Sequence, residues 1–329
     1  MPRIPMAIRG TGSALPARIM TNADFEKFLD TSDEWIRTRS GIRERRICEK
    51  GEDTLTLART AAERALEDAK LTPADLDMIV VATCTPAMPL PSTGCFLQHE
   101  LGCRQIPAFD VSAACSGFMY GLVTAVSFLA SGQYRHILVI GAETMSAITD
   151  FEDRTTCILL GDGAGAAVIG PPDNEISGVY DTCLGADGSG AQLIWVPGGG
   201  SREPASQKTL DERLHFLKMK GREVYKFAVT KFQEVILEAL ARVNLPPSDL
   251  AMVIPHQSNL RIIESAREKL GLPPEKMAVN IDRYGNTSAA SIPIALDEAR
   301  RSGRIKTGDW IILAGFGAGL TWGSVVIRL

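Results

Sequence analysis

Leu71–Cys84, LTPADLDMIVVATC, is the stretch on which the fold turns. It follows a segment of helical periodicity, Thr54–Lys70, bends at a Pro-x-Asp-Leu turn and enters a run that reads as a buried strand. Nearly the same phrase recurs at Leu245–Ser258, LPPSDLAMVIPHQS, behind a second helical segment, Tyr225–Val243. Pro73 aligns with Pro247 at an offset of 174 residues, and ILVIG (Ile137–Gly141) aligns with IILAG (Ile311–Gly315) at the same offset of 174. Two separate segments sharing one offset make the chain a duplicated α/β unit. Each half alternates helical patterns with short Val/Ile-rich runs, which predicts mixed, largely parallel sheets covered by helices. The halves are residues 1–172 and 173–329, meeting in the turn-rich GPPDNE (Gly170–Glu175).

Between the repeated segments of the first half lies Ala108–Ala130, AFDVSAACSGFMYGLVTAVSFLA. A short strand ends in small residues, a single thiol follows at Cys115, and a helix apolar nearly all round begins at once. Cys115 therefore sits at a helix N-terminus, where unpaired N–H groups and the helix dipole favour a thiolate and small neighbours admit a reagent. The same residue also reads as one of the buried structural thiols that free cysteines usually are. In the second half the corresponding region is Asn280–Arg301, which contains YGNTSAAS; there Asn286 precedes a helix, and capping or an Asx turn explains it. A pseudo-twofold axis would bring both helix N-termini to one centre. His256 ends the buried run MVIPHQSN, at a strand end where open α/β sheets assemble their sites. Taken alone, it also suits a structural histidine.

The bulk composition narrows the field. A formal charge of −4 gives no general reason to bind nucleic acid or an anionic membrane. Seven cysteines without a C-x-x-C pair, and four histidines, suggest neither a disulfide framework nor a metal site. MPRIPMAIRG lacks the apolar core of a signal peptide and no apolar run reaches membrane-spanning length, so a cytoplasmic location is expected. Asp33–Arg46 reads as a charged, solvated helix carrying one tryptophan. GDGAG (Gly161–Gly165) matches no phosphate loop and reads as a tight turn. GFGAGLTWG (Gly315–Gly323) reads as a hairpin turn before the last strand, able to offer a backbone N–H to an oxyanion. The Gly-rich insertion Gly185–Lys220 is either mobile surface or a cover over substrate.

TSDEWIRTRSGIRER, DVSAACSG, GDGAGAAV, PHQSNLRI, YGNTSAAS and GFGAGLTWGS, in this order across nearly the whole chain, resemble the β-ketoacyl-[acyl-carrier-protein] synthase III family of condensing enzymes, in the thiolase superfamily. The resemblance implies the thiolase-like duplicated five-layer α/β/α/β/α fold, a homodimer, and an acyltransferase that needs no cofactor and no metal. It implies a Cys115/His256/Asn286 triad. Cys115 would take the acyl group from a short acyl-CoA such as acetyl-CoA. Malonyl-acyl carrier protein would follow, and His256 and Asn286 would donate hydrogen bonds to its thioester oxygen as CO₂ leaves. The backbone N–H groups of Cys115 and Ala318 would hold the oxyanion.

By the same resemblance, Trp35 and Arg39 contact the CoA adenine, with Thr31 beside them and Arg154 on the other side. Gly221 and Asn259 line the pantetheine channel. Leu90 closes the acyl pocket from the partner subunit, and a leucine there leaves primer length open. Lys226, Arg261, Arg267 and Lys269 are candidates for docking the acidic carrier protein. Ser258 stands where relatives often carry alanine. Ala318 replaces a glycine, which its role tolerates only at negative φ. A polyketide starter synthase, a head-to-head acyl-CoA condensing enzyme and a non-catalytic acyl-CoA-binding homologue are the competing readings.

Overall fold

The computed structural model describes residues 3–329. The chain opens with β1 (Ile4–Pro5) and β2 (Ala7–Ala14), and a small antiparallel pair follows, β3 (Ile19–Thr21) with β4 (Glu44–Arg46). The first large sheet is completed by β5 (Met78–Ala82), β6 (Ala108–Val111), β7 (Ile137–Thr144) and β8 (Asp162–Gly170), in the order β2-β8-β7-β5-β6. Its β7, β5 and β6 run parallel, while β8 pairs antiparallel with both β7 and β2.

The second half supplies β9 (Gly178–Ala186), a two-stranded ribbon of β10 (Ile194–Trp195) and β11 (Lys218–Met219), then β12 (Leu250–Pro255), β13 (Trp310–Gly317) and β14 (Thr321–Arg328). The second large sheet has the order β1-β9-β14-β13-β12, again with a parallel pair, β12 with β13, followed by antiparallel neighbours. The duplication is imperfect at both edges. Where the first sheet has β6, the second has only a bridge between Val253 and Met277, and β1 crosses from the start of the chain to pair with β9.

The layering follows from which faces are apolar. Ile137 and Val139 of β7 point to one side and Leu138, Ile140 and Ala142 to the other, and both sets are buried. A sheet covered on both faces needs this continuous apolar run. On the inner side lie two helices, Gly117–Ala130 and Ser291–Arg301, sandwiched between the sheets through Phe118, Leu122, Ile292 and Leu296. The Thr54–Ala69 helix covers the outer face of the first sheet, and Gly221–Arg242 with Leu260–Lys269 covers that of the second. The result is the five-layer α/β/α/β/α arrangement.

Two local expectations are corrected. GDGAG is no tight turn: Asp162 already begins β8 and the segment is buried. Its glycines serve close packing instead, since a Cβ on Gly165 would lie 2.5 Å from the Ile294 amide nitrogen at the start of the Ser291–Arg301 helix. The charged Asp33–Arg46 segment is helical only over Asp33–Ser40; Gly41, at φ 84°, ends that helix and β4 follows. The Gly185–Lys220 insertion is built, with the β10/β11 ribbon and a short helix, Gln207–Asp211.

Candidate active site

Cys115 lies in a single 3-10 turn, Ala114–Ser116, between β6 and the Gly117–Ala130 helix. A second 3-10 turn, Ser288–Ala290, precedes the Ser291–Arg301 helix, and the two turns pack against each other at the centre of the molecule. Each begins with a residue in the left-handed region, Ala114 at φ 46° and Ser288 at φ 48°. Such backbone costs on the order of 1–3 kcal/mol and persists where surrounding structure enforces it. Here Gly317 of β13 presses on the first turn, so that a Cβ at 317 would lie 2.7 Å from the Cys115 amide nitrogen. Among the described residues neither that amide N–H nor the Ala318 N–H donates to another residue, and Ala318 keeps a negative φ.

Asn286 is held by its backbone, which bridges to Leu160: its N–H donates to Leu159 O at 2.8 Å and its carbonyl accepts from Gly161 N–H at 3.1 Å. Its Oδ1 accepts the Ser288 N–H at 2.8 Å, and its side chain borders the cavity that it shares with Cys115 and His256. His256 follows β12, with its N–H on Ala314 O at 2.8 Å and its ring edge against Phe316. Its Nδ1 lies 2.7 Å from Ser291 Oγ, which also receives the Gln257 N–H at 3.4 Å. This network is satisfied when the Ser291 hydroxyl donates to Nδ1, leaving the imidazole proton on Nε2. Burial pushes the imidazole down to about 3, so the ring is neutral.

The electrostatics of the thiol differ from the expected thiolate. Burial, reinforced by the negative Glu143, pushes Cys115 up to about 12, although the Ser288 hydroxyl, its own N–H and the Asn286 amide pull the other way. The helix N-terminus does not outweigh desolvation, and the resting residue is a thiol.

Cys115 stands where two cavities meet. One, of about 100 Å³, is narrow and runs past His256, Asn286, Asn259 and Gly221. The other, of about 380 Å³, is walled mainly by apolar and small groups, including Met145, Ile148, Trp195 and Leu217. Ile194 of the ribbon borders both, so the insertion covers the site. Gly221 leaves room at the start of its helix: a Cβ there would meet nothing closer than Met219 Cε, at 3.7 Å. Asn259 caps the Leu260–Lys269 helix through Arg261 N–H at 2.9 Å and donates to Arg39 O at 2.9 Å, joining the narrow channel to the Trp35 helix. Ser258 lines the same channel with a buried hydroxyl lacking a partner among the described residues.

At the surface, Arg39 and Arg154 place their guanidinium carbons 4.7 and 5.5 Å from the centre of the half-buried Trp35 ring. Arg154 is anchored on Asp30, and the buried Thr31 hydroxyl has no partner among the described residues. Of the basic candidates, Lys226, Arg261 and Lys269 are exposed, with Arg261 over Tyr225. Arg267 is turned inward onto Glu264 at 2.6 Å and Leu272 O at 2.9 Å, so its charge is spent within its own helix end. Leu90 is 84% exposed and lines neither cavity of its own chain.

Sequence reasoning misses the residues that surround and hold Cys115, His256 and Asn286. Ser291 lies inside the quoted YGNTSAAS, and its one signal is a hydroxyl opening an apolar helix face. Gln257, next to His256, is buried and uses its whole amide: Nε2 donates to Pro255 O and Ala278 O, and Oε1 accepts from Asn280 and Ile281. Glu143 is a buried acid closing the apolar run of β7. Among the described residues no cluster of metal-ligating side chains occurs, and no helix is long and apolar enough to cross a membrane.

Residues 109–188 and 240–329 match the family descriptions "3-Oxoacyl-[acyl-carrier-protein (ACP)] synthase III" and its C-terminal part. A β-ketoacyl-[acyl-carrier-protein] synthase III of Caldanaerobacter subterraneus is 55% identical over 99% of this chain and 98% of its own. The crystal structure of 3-oxoacyl-[acyl-carrier-protein] synthase III from Aquifex aeolicus superposes with a TM-score of 0.90 at 47% identity, covering 98% of this chain and 100% of that one. A priming β-ketosynthase of a polyketide pathway superposes with a TM-score of 0.91 at 36% identity, covering 99% and 97%. With this identity sustained over the whole length, and with the duplicated fold and a thiol at its central helix junction, the chain belongs to the β-ketoacyl-[acyl-carrier-protein] synthase III family.

Proposed function

We propose that the protein transfers a short acyl group from acyl-CoA to Cys115 and condenses it, with loss of CO₂, with malonyl-acyl carrier protein to give a 3-oxoacyl-acyl carrier protein, the step that initiates fatty acid synthesis. The observation that carries this reading is the position of Cys115, where a narrow channel and a wider, largely apolar cavity meet. The channel suits the uncharged pantetheine arm and the wider cavity suits an acyl chain. The Trp35, Arg39 and Arg154 cluster at the surface suits an adenine base stacked on an indole beside guanidinium groups, and the free Thr31 hydroxyl supplies a further polar contact.

In this mechanism the Cys115 sulfur attacks the thioester carbon and CoA leaves as thiolate. The oxyanion is received by the N–H groups of Cys115 and Ala318, both free to donate. After the second substrate enters the channel, His256 Nε2–H and the Asn286 amide donate to its thioester oxygen and stabilise the enolate left by CO₂. A neutral donor imidazole suits that task, because it gives a hydrogen bond without surrendering the proton. Carbon–carbon bond formation then releases Cys115 as thiolate. The two substrates supply everything the chemistry uses, with decarboxylation as the driving force.

The protein works as a cytoplasmic homodimer in this reading, and the bare Leu90 is the group that a partner subunit would cover. Lys226, Arg261 and Lys269 form the basic face offered to the carrier protein, with Arg267 supporting the helix end. The likeness to a polyketide priming synthase favours a second reading in which the same two steps start a polyketide chain. Intact and peptide mass spectrometry after incubation with acetyl-, isobutyryl- and octanoyl-CoA tests the proposal. One acyl mass on Cys115, absent in Cys115→Ser, is expected; no adduct from any donor would overturn it.

A further inference from the structure

Behind Cys115 lies a carboxylate to which the mechanism above gives no work. Glu143, near the end of β7, is 0% exposed. It accepts hydrogen bonds from the Thr85 hydroxyl at 2.6 Å, the Thr83 hydroxyl at 3.2 Å and the Cys84 and Thr85 amides at 3.1 Å each, with the Ala289 amide at 3.4 Å. The Cys84 thiol also donates to it, at 3.2 Å. These neighbours are hydroxyls, amides and a thiol, with no cation among them. The Ser288 hydroxyl lies 3.7 Å from the Cys84 sulfur, and Ser288, Cys84 and Cys115 line one cavity. Exchangeable protons on Ser288 and Cys84 therefore lie between the cavity that holds Cys115 and the Glu143 carboxylate.

Charge conservation gives this path its meaning. Burial raises the affinity of Glu143 for a proton, and ionising the half-buried Cys115 beside a Glu143 carboxylate would set two negative charges close together with little water behind them. Shifting the thiol proton to Glu143 leaves a single negative charge before and after. The groups that face Cys115 are Glu143 from β7, Cys84 from the segment after β5 and His256 from the end of β12; the last stays neutral, so Glu143 is the group able to take the proton.

Resting on the acyl-transfer reading, we infer that Glu143 takes the Cys115 proton through Ser288 and Cys84 on acylation, holds it through the acyl-enzyme stage, and returns it when condensation frees the thiolate. In the first half-reaction the Cys115 sulfur pair forms the new S–C bond, and the C–S pair of the acyl-CoA departs on CoA, which takes its proton from water. The thiol proton moves one bond along the path: Cys115 to Ser288, Ser288 to Cys84, Cys84 to Glu143. In the second, the carbanion formed by loss of CO₂ makes the C–C bond, the S–C pair returns to Cys115, and the path runs backwards. The neutral acid in the acyl-enzyme also spares the developing enolate a buried anion nearby.

Infrared difference spectroscopy on the whole protein, acylated with acetyl-CoA minus free, reads the proton directly. A protonated-carboxyl band that shifts in heavy water should appear on acylation, with matching loss of carboxylate bands, and should be missing in Glu143→Gln. Ser288→Ala leaves Glu143 in place but cuts the path. Its single-turnover acylation at pH 7 should fall at least about tenfold and recover as pH rises and hydroxide takes over. An acyl-enzyme that forms without the band, or a Ser288→Ala protein with the wild-type rate and pH profile, would overturn the inference while leaving acyl transfer intact. Failure of the wild type to take any acyl group, read by mass spectrometry, would instead overturn the acyl-transfer reading and this inference together.

Discussion

Ala114 and Ser288 stand 174 residues apart and adopt the same backbone, φ 46° and 48°, one immediately before Cys115 and the other opening the turn that follows Asn286. The offset is that of the internal repeat. The two halves of the site are thus two copies of one strained turn leading into a helix, packed against each other. One copy carries the thiol and the other an amide donor.

The close approach of β7 to the Ser288–Ala290 turn predicts the effect of filling the space between them. A Cβ on Gly141 would lie 2.2 Å from Ala289 O. Gly141→Ala should destabilise the protein by about 1–3 kcal/mol, as overpacked cores do. Because the displaced turn contains Ser288 and follows Asn286, condensation should fall further than stability alone explains. Urea denaturation and a condensation assay below the unfolding range check both.

The donor roles of His256 and Asn286 predict a split between the half-reactions. His256→Ala and Asn286→Ala should each lower decarboxylation by about 10²–10³-fold, the usual cost of a lost oxyanion donor, while acylation of Cys115 survives better. Ser291→Ala removes the hydroxyl that fixes the ring and should produce a weaker form of the same split. Malonyl decarboxylation and acyl-enzyme formation, measured separately, test this; equal loss of both steps would contradict the division.

Acid should unfold the protein partly through His256. Its native imidazole stays neutral down to about pH 3, whereas the unfolded chain takes up a proton below its ordinary value of 6.5. The unfolded state then binds more protons, so stability falls as pH drops through this window, by up to roughly 1.4 kcal/mol per unit, and is flat in this respect above it. His256→Gln should have a shallower acid slope between pH 6.5 and about 4.5 in urea titrations. Parallel slopes would show that the imidazole is charged in the native protein.

Trp35→Ala should weaken use of acyl-CoA by about 1–3 kcal/mol, the range for a base stacked on an aromatic ring. The loss should fall on KM for acyl-CoA and be small for an acyl-pantetheine donor lacking the nucleotide. Comparing the two donors locates the effect.

Much of this fold is legible because it is written twice. The Pro-x-Asp-Leu turn and the buried run after it are set by local rules, and their recurrence at Pro247 exposes the duplication. The motifs that carry Cys115, His256 and Asn286 are legible, and the fold brings the three residues to one cavity. GDGAG misleads because the demand on its glycines comes from the Ser291–Arg301 helix, more than a hundred residues away in sequence. Glu143 and Ser291 escape notice for a similar reason: their partners are assembled by tertiary contact. The state of the Cys115 thiol is not legible because a helix N-terminus is a local property, whereas burial depends on everything packed around it.

The strand exchange at the chain start has its own consequence for how the molecule comes to be. Ile4 pairs with Val179, and Asp297 accepts from Thr11 and Ser13 in the opposite half. During synthesis β1 has no sheet to join until β9 exists, and the Thr11 and Ser13 hydroxyls wait still longer for the helix bearing Asp297. A gene cut at the repeat boundary would therefore yield two fragments, each exposing a sheet edge or a buried acid's partners. The duplication is visible in the sequence, yet the two copies are stitched into one cooperative unit, with Cys115, His256 and Asn286 at the seam.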